Sequence, residues 1–206
     1  MVTVYGDSVS GNCYKIQLLA ALLAIPMKWV EVNILNGDTQ TPEFLEKNPF
    51  GKIPILETST GDIISESNAI LHYLADQHNI TGKDPLTKAK VLQWQFFEQY
   101  SHEPYIAVAR FINLYLGLPA DRLEEYQQKQ EGGNRALASM DLALTTSPYL
   151  VGDELTLADV SLYAYTHVAD QGGFDLNRYP AILAWINRIE SLPNYQPMQC
   201  GTESKS

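Results

Sequence analysis

The sequence predicts an α/β domain followed by an all-helical domain, and three observations support this prediction. In the first third of the chain, β-rich runs alternate with helical patterns in the order β-α-β-α-β-β-α. Residues 80–85 have no periodicity and contain Gly and Pro, which is typical of a linker. Beyond them the strand pattern largely disappears and long helical patterns follow. We therefore expect an α/β domain at residues 1–79, a linker at 80–87 and a helical domain at 88–206.

The first half of the α/β domain is expected to form a strand, a helix and a second strand. Residues 2–5 are β-rich and lead into a turn cluster at residues 6–12. Residues 13–24 are apolar on most faces, as in a helix packed on a sheet, and Pro26 ends that pattern. Residues 28–34 then alternate as a strand does.

The second half of this domain adds a short helix, a hairpin and a longer helix. Thr41 at the N-cap and Pro42 at the first helical position predict the short helix. Residues 52–57 predict a strand with a proline near its start, and a turn at residues 60–61 joins it to another strand. Residues 65–68 are expected to cap the longer helix.

The helical domain begins with two long helical patterns. Residues 86–116 form the first, which can bend at Pro104. Residues 119–145 form the second, and the glycine pair at residues 132–133 should break or weaken it.

Two start signals predict the remaining helices. Thr156 and Asp159 are spaced as a capping-box variant. Tyr179 and Pro180 open the last helix, because proline suits the first helical position.

Composition and charge exclude several classes of function. The 206 residues carry 14 basic and 24 acidic side chains, a net charge of −10, so a nucleic-acid partner is not expected. The most apolar stretch, residues 16–26, is too short to cross a bilayer, and the start lacks a signal-peptide pattern. The 2 cysteines and 4 histidines have neither disulfide-framework nor metal-ligand spacing. We expect a cytoplasmic protein with no membrane partner and no metal.

The loop before the first helix carries the first chemical signal. It contains Ser10-Gly11-Asn12-Cys13 and ends at a helix N-terminus, where the helix dipole favours a thiolate. With one cysteine, this loop cannot form a dithiol. The Ser10 hydroxyl can instead donate a hydrogen bond to a thiolate that a ligand brings in. The alternative is that Ser10 is only a helix cap.

Two further places suit parts of a peptide-like ligand. If the bond between Ile53 and Pro54 is cis, the Ile53 N–H and C=O can pair with a peptide backbone; the alternative is a trans edge-strand proline. Glu66 and Ser67 stand where a helix begins, so N–H groups and a hydroxyl suit a carboxylate there and Glu66 suits an ammonium group. The alternative for this pair is simple capping.

The order and spacing of these motifs resemble the cytosolic glutathione transferase superfamily over nearly the whole chain. The motifs are Ser10-Gly11-Asn12, Thr41-Pro42-Glu43-Phe44, Asn48-Pro49-Phe50-Gly51-Lys52-Ile53-Pro54-Ile55-Leu56, Glu66-Ser67 with Ile70, and Leu155-Thr156-Leu157-Ala158-Asp159.

The resemblance implies a homodimer with a thioredoxin-like first domain and glutathione as co-substrate. Ser10 would occupy the activating position of the serine-type classes, such as theta, zeta and phi. Asn12 would be a second catalytic residue, because an asparagine there contacts the sulfur in some bacterial relatives. The other implied contacts are the glycine carboxylate at Lys52, the cysteinyl backbone at Ile53 and Pro54, and the γ-glutamyl end at Glu66 and Ser67.

Two features depart from the family pattern. Where phi-like members carry a His-Lys pair that contacts glutathione, this chain has Thr39 and Gln40. Gln40 can hydrogen-bond a carboxylate without supplying charge, so we expect modest affinity for glutathione. Ser8 is a rival for the activating role, but the Ser-Gly-Asn run favours Ser10.

The second substrate is expected to bind between the domains, beside the aromatic helix at residues 94–100. Candidate lining residues are Tyr100, Tyr105, Arg110 and Phe111. The alternative is that this aromatic stripe is helix-helix core. His102 is expected to be structural.

The leading functional hypothesis is conjugation of the glutathione thiolate to a small, apolar electrophile, as in detoxification. Asn12 keeps open a glutathione-dependent disulfide or peroxide reductase. A third hypothesis is a non-catalytic interaction protein of the same fold. The identity of the electrophile does not follow from the sequence, because hydrophobic pockets discriminate weakly.

Overall fold

The computed structural model describes residues 1–199, and contacts divide the chain into two units. Met1–Gln77 and the segment that begins at Leu192 form the first unit, and His78–Ser191 forms the second. The sequence-based boundary lay slightly later, after residue 79. None of the described helices has both the length and the hydropathy that crossing a membrane requires.

The segment from Leu192 onward was expected to continue the helical domain, but it groups with the first unit. The Tyr14 hydroxyl donates a 2.7 Å hydrogen bond to the Gln196 carbonyl oxygen. Local sequence pattern could not reveal this, because the segment has no helical or strand periodicity of its own.

Residues 1–77 form four strands and three α-helices in the predicted order. They are β1 (Val2–Gly6), α1 (Gly11–Leu22), β2 (Met27–Glu31), α2 (Pro42–Lys47), β3 (Ile55–Glu57), β4 (Ile63–Ser65) and α3 (Ser67–Leu74). The sheet order is β2-β1-β3-β4. β1 and β2 are parallel, whereas β3 is antiparallel to both β1 and β4. The predicted thioredoxin-like order is confirmed.

The sheet is buried on both faces, because helices cover each of them. Tyr5 and Ile55 are paired neighbours on one face, where Phe44 of α2 packs against Ile55. Val4 and Leu56 are paired on the other face and are fully buried. α1 is buried along most of its length, which explains its apolar pattern.

The short helix α2 begins as the sequence predicts. The Thr41 hydroxyl accepts a hydrogen bond from the Phe44 N–H at 3.3 Å, and Pro42 stands in the first turn. The predicted cap is confirmed. The strands are shorter than their patterns: β2 ends at Glu31, and β3 starts only after Pro54, which has no N–H to give to a ladder.

The second unit contains the helices α4 (Pro85–Phe97), α5 (Glu103–Arg110), α6 (Leu123–Leu144), α7 (Leu157–Thr166) and α8 (Pro180–Glu190). The expected stretch at 86–116 is interrupted by π-helical turns at Glu98–His102 and Phe111–Tyr115. The first turn ends just before Glu103 and Pro104, which open α5. Proline has no N–H to donate to the backbone hydrogen bonds of a helix, so the hydrogen-bond pattern changes at Pro104.

The expectation that Gly132 and Gly133 break or weaken a helix is wrong. α6 runs through both without interruption. A Cβ atom at Gly132 would lie 2.2 Å from the Tyr105 ring, and one at Gly133 would lie 2.3 Å from the Phe174 ring. The glycines therefore allow two aromatic rings to approach the α6 backbone, and that packing outweighs their low helix propensity.

The predicted start of α7 is confirmed as a capping box. The Asp159 carboxylate accepts from the Thr156 N–H and hydroxyl, each at 2.9 Å. It also accepts from the Leu150 N–H and from the Trp185 indole N–H of α8. The predicted α8 is confirmed, with Pro180 in its first turn.

Candidate functional site

Strand register places three of the predicted binding positions at one edge of the sheet. Tyr5, near the end of β1, is paired with Ile55 at the start of β3, and Ile55 is paired with Ser65 at the end of β4. The loop after β1 holds Ser10, the peptide before β3 holds Pro54, and α3 follows β4 directly. The sequence motifs far apart in the chain therefore meet at this edge.

Ser10 is the N-cap residue of α1, but its side chain makes no capping hydrogen bond. Its hydroxyl lies close enough to the Cys13 sulfur to lower the pKa of that thiol. The simple capping alternative therefore does not account for the hydroxyl. A hydroxyl that already faces sulfur at a positive helix end has the chemistry needed to stabilise a thiolate.

Cys13 is fully buried in the first turns of α1. Burial raises the pKa of its thiol to about 12, although the hydrogen bond from Ser10 opposes this. Because the thiolate is the reactive form of cysteine, Cys13 is held in its unreactive form at neutral pH.

Ser8, the rival of Ser10, is committed to another partner. Its N–H and its hydroxyl both donate to Glu31 Oε1, at 2.9 Å and 3.0 Å. The other oxygen of that carboxylate accepts from the Trp29 indole N–H at 2.7 Å. These bonds hold the Ser8 hydroxyl toward β2, which favours Ser10 as the thiolate partner.

The peptide bond between Ile53 and Pro54 is cis, as one of the two alternatives predicted. The loop before it is held by a 2.8 Å hydrogen bond from Asn48 Nδ2 to the Lys52 carbonyl oxygen. The Lys52 side chain is exposed. This loop therefore has a fixed backbone and a cation available to a ligand.

Gln40 lies against the same loop. Its Nε2 is 3.5 Å from the Gly51 carbonyl oxygen. Gly51 has φ of 60°, and a Cβ atom there would lie 2.5 Å from Gln40 Nε2. The positive φ favours glycine at this position, and the close approach brings Gln40 beside the loop that carries Lys52.

Glu66 and Ser67 lie at the start of α3. Glu66 is the exposed N-cap residue, with φ of 68° and no side-chain capping bond. A non-glycine residue in this conformation is uncommon and concentrates at functional sites. The side chain of Ser67, the first residue of the helix, is buried.

Lys15, which no sequence motif indicated, joins two predicted site residues. Its side chain is fully buried. Nζ lies 2.8 Å from Asn12 Oδ1 and 3.1 Å from Ser67 Oγ. A lysine inside a largely apolar helix was the available signal, since buried lysines are rare without a specific partner.

The structure places the four predicted second-substrate residues in different surroundings. Tyr100 is 80% exposed. Tyr105 packs over Gly132 and carries the Lys129 ammonium 5.7 Å from its ring centre. Arg110 and Phe111 have partners inside the helical unit. Arg110 donates a 2.7 Å hydrogen bond to Gln171, and Phe111 stacks on Tyr115.

The buried His102 makes a 2.9 Å hydrogen bond with the Thr166 hydroxyl, in keeping with a structural role. Within residues 1–199, no group of three or more His, Cys, Asp or Glu side chains is placed to hold a metal ion.

Two family profiles match: Glutathione S-transferase, N-terminal domain, over residues 9–77, and Glutathione S-transferase, C-terminal domain, over residues 93–193. A glutathione S-transferase from Pseudomonas fluorescens Pf-5 is similar in structure, with a TM-score of 0.94 and 57% identity over 97% of this chain and 99% of that chain.

Two curated relatives are more distant. A glutathione S-transferase-like protein, LUC7 from Fusarium sp, is 31% identical over 90% of this chain and 86% of its own length. An elongation factor 1-gamma from Artemia salina is 34% identical over 66% of this chain, but this match spans only 32% of that longer protein. Since the two profiles together cover most of the sequence and lie in the order of the two units, the chain belongs to the glutathione S-transferase family.

Proposed function

We propose that this chain conjugates the thiolate of glutathione to a small, apolar electrophile. The observation that carries the proposal is the strand register, which brings Ser10, the cis Ile53–Pro54 peptide and Ser67 to one edge of the sheet. These three positions suit the thiol, the peptide backbone and the α-amino-acid end of glutathione. The 57% identical relative named as a glutathione S-transferase supports it.

In the proposed reaction, Ser10 turns its hydroxyl from the Cys13 sulfur to the glutathione sulfur. A free thiol has a pKa of about 8.5, and a hydrogen-bond donor at a helix N-terminus favours its ionised form. The thiolate then attacks the electrophile and forms a carbon–sulfur bond, while the bond to the leaving group breaks. The thiol proton passes to solvent. Asn12 is the second proposed donor near the sulfur.

The rest of glutathione would be held by the surrounding loops. Lys52 and Gln40 suit the glycine carboxylate, because Gln40 lies against the loop that carries Lys52. The Ile53 backbone suits the cysteinyl peptide group, as in strand addition. Glu66 suits the γ-glutamyl ammonium and Ser67 the carboxylate beside it.

For the second substrate, Tyr100 is the strongest of the four candidates. It is exposed, whereas Arg110 and Phe111 are used in packing. Tyr105 is partly buried and packs against Gly132.

The test is to titrate glutathione into the native protein and a Ser10→Ala variant and to follow thiolate absorbance as pH is varied. The native protein should lower the thiol pKa of bound glutathione. Ser10→Ala should raise it again by about 1–2 units, since a hydrogen bond to a charged group contributes roughly 1.5–3 kcal/mol. Ser8→Ala, the matched control, should behave as the native protein because Ser8 is bonded to Glu31.

If Ser10→Ala and the native protein lower the thiol pKa equally, then Ser10 is not the activating residue. If the native protein does not bind glutathione, the transferase proposal fails and so does glutathione-dependent reduction.

A second candidate function is a non-catalytic interaction protein. It is favoured by the 34% identity to an elongation factor 1-gamma over 66% of this chain. Retention on a glutathione resin, with elution by free glutathione, would oppose it. Glutathione-dependent reduction of a mixed disulfide or a peroxide, measured beside conjugation, tests the remaining enzymatic alternative, for which Asn12 is the residue to mutate.

We also propose a homodimer, on the family resemblance. Light scattering should give about twice the 23.0 kDa of one chain. A mass equal to one chain at micromolar concentration would contradict this.

A further inference from the structure

Lys15 is a fully buried cation in the first unit, with one of its polar partners on α1 and another on α3. Nζ is 2.8 Å from Asn12 Oδ1, one turn earlier on α1, and 3.1 Å from Ser67 Oγ at the start of α3. Ser67 Oγ is in turn 3.3 Å from Asn12 Oδ1. The three groups form a closed triangle between the N-terminal ends of two helices.

The lysine fixes which way both partners face. An ammonium group has donors and no acceptor, so the Asn12 atom that faces it is the carbonyl oxygen. The Asn12 amide N–H donors therefore point to the other side of the amide group. The Ser67 oxygen accepts from Lys15 as well, so its hydrogen must point toward a different acceptor.

The positive charge of Lys15 also lies close to two positive helix ends. α1 and α3 begin at Gly11 and Ser67, and the unsatisfied N–H groups of each first turn carry partial positive charge. A cation within hydrogen-bond distance of both ends strengthens this potential in a buried place, where screening by salt is weak. Thiolates and carboxylates are the ligands that such a potential favours.

We infer that Lys15 is a positioning residue of the glutathione site, orienting the Asn12 amide toward the sulfur and the Ser67 hydroxyl toward the γ-glutamyl carboxylate. The inference rests on the proposed function, in which these two residues contact opposite parts of glutathione. In the structure the Ser67 hydroxyl donates to Asn12 Oδ1. A bound carboxylate is a stronger acceptor and takes that hydrogen, while Lys15 continues to satisfy the oxygen.

The experiment compares Lys15→Met, which removes the charge, with Lys15→Arg, which keeps it but replaces the compact ammonium with a planar fork. Lys28→Met is the control, because Lys28 is an exposed lysine of the same unit. Two quantities are measured. The affinity for S-methylglutathione, which has no ionisable thiol, reports on the γ-glutamyl end, and the thiol pKa of bound glutathione reports on the sulfur end.

Lys15→Met should weaken S-methylglutathione binding about tenfold and raise the thiol pKa of bound glutathione by about one unit, as expected for loss of one charge-assisted contact at each end. Lys15→Arg should keep the lowered thiol pKa, because the charge beside Asn12 remains, but bind S-methylglutathione at least about threefold more weakly, because the fork displaces Ser67. Lys28→Met should match the native protein in both.

A folded Lys15→Met variant with native affinity and native thiol pKa would overturn the inference. If near-ultraviolet circular dichroism shows that Lys15→Met is not folded, Lys15→Arg decides, and native affinity for S-methylglutathione in that variant would overturn it. Failure of the native protein to bind glutathione at all is a different result, which removes the proposed function itself.

Discussion

Cys13 shows how burial changes the chemistry of a thiol that lies near a helix N-terminus. It follows the activating position at a helix N-terminus, where a thiol would ordinarily be made more acidic. Here the side chain is fully buried, and the loss of hydration raises the pKa of the thiol to about 12. The cost of burying a thiolate outweighs the lowering of the pKa by the Ser10 hydroxyl and by the backbone at Asp7.

We therefore predict that Cys13 is unreactive toward thiol reagents in the native protein. In a Cys200→Ser background, which leaves Cys13 as the remaining cysteine, a disulfide reagent at about pH 8 should release almost no chromophore until denaturant is added. Rapid labelling of the native variant, at a rate close to that of a free thiol, would contradict the buried position.

At the residue scale, features that belong to a motif with a fixed place in the fold could be predicted from the sequence. The contacts of long side chains could not, because their partners are set by the tertiary structure. The cis bond before Pro54 was one of two alternatives that local spacing allowed, and it is present. The role of Lys15 and the burial of Arg110 could not be predicted, because their charged ends bind Ser67 and Gln171, which are distant in sequence. No local pattern identifies such partners.

At the scale of elements, the two glycines of α6 show packing overriding propensity. Gly132 and Gly133 face the rings of Tyr105 and Phe174 at distances that leave no room for a methyl group. A helix-propensity argument alone predicts that replacing either with alanine stabilises the helix by about 1 kcal/mol. The observed contacts predict the opposite sign.

We predict that Gly133→Ala lowers the free energy of unfolding by about 1–3 kcal/mol, as overpacking of a close contact does. Urea unfolding measures this. Gln127→Ala is the matched control, because Gln127 is exposed on the same helix and gains only helix propensity. Adding Phe174→Leu to Gly133→Ala should recover part of the loss; a stabilising Gly133→Ala would show that Phe174 moves away at little cost.

Asp159 joins three elements, so its effect exceeds that of an ordinary cap. Its carboxylate accepts from Thr156 at the start of α7, from Leu150 and from Trp185 of α8. Burial raises its pKa, and these donors counteract that rise. Removing the carboxylate would leave several donors without an acceptor in a buried place.

We predict that Asp159→Ala destabilises the protein by at least about 3 kcal/mol, more than the roughly 1 kcal/mol of a typical cap. Asp159→Asn keeps one acceptor and should fall between Asp159→Ala and the native protein. Asp153→Ala, which removes an exposed carboxylate from the loop before α7, should change stability by less than about 0.5 kcal/mol. Equal denaturation midpoints for Asp159→Ala and Asp153→Ala would refute the argument.

For the whole molecule, periodicity predicted the classes and order of the elements because each class buries one face with its own repeat. Strand order and the burial of the sheet on both faces followed only from the family resemblance, since pairing partners are set by tertiary contacts. The segment from Leu192 lacks a repeat, so its place beside α1 could not be predicted. Likewise, the placement of Ser10 and Ser67 at the same edge of the sheet depends on strand register.

Two of the effects that acid has on the whole molecule oppose each other. Its net charge of −10 at pH 7 becomes less negative as pH is lowered toward the sequence pI of about 4.8. This relieves repulsion between like charges and favours the compact state. His167 acts in the opposite direction. The pKa of this imidazole is lowered to about 4, chiefly by burial and also by the Arg110 guanidinium, while the Tyr163 carbonyl and Asp170 oppose the shift.

We predict that His167 makes the native protein lose stability as pH falls from about 6.5 to about 4. In that window the unfolded chain binds a proton at this side chain and the folded chain does not, so the free energy of unfolding falls by about 2 kcal/mol between about pH 7 and about pH 5 from His167 alone. His167→Phe keeps a ring to stack on Tyr163, which lies 4.4 Å away between ring centres, but cannot titrate. Urea unfolding of both proteins across this range should show the variant gaining stability relative to the native protein as pH falls. Parallel pH profiles would mean that His167 takes up its proton in the folded state as readily as in the unfolded chain, and would contradict the prediction.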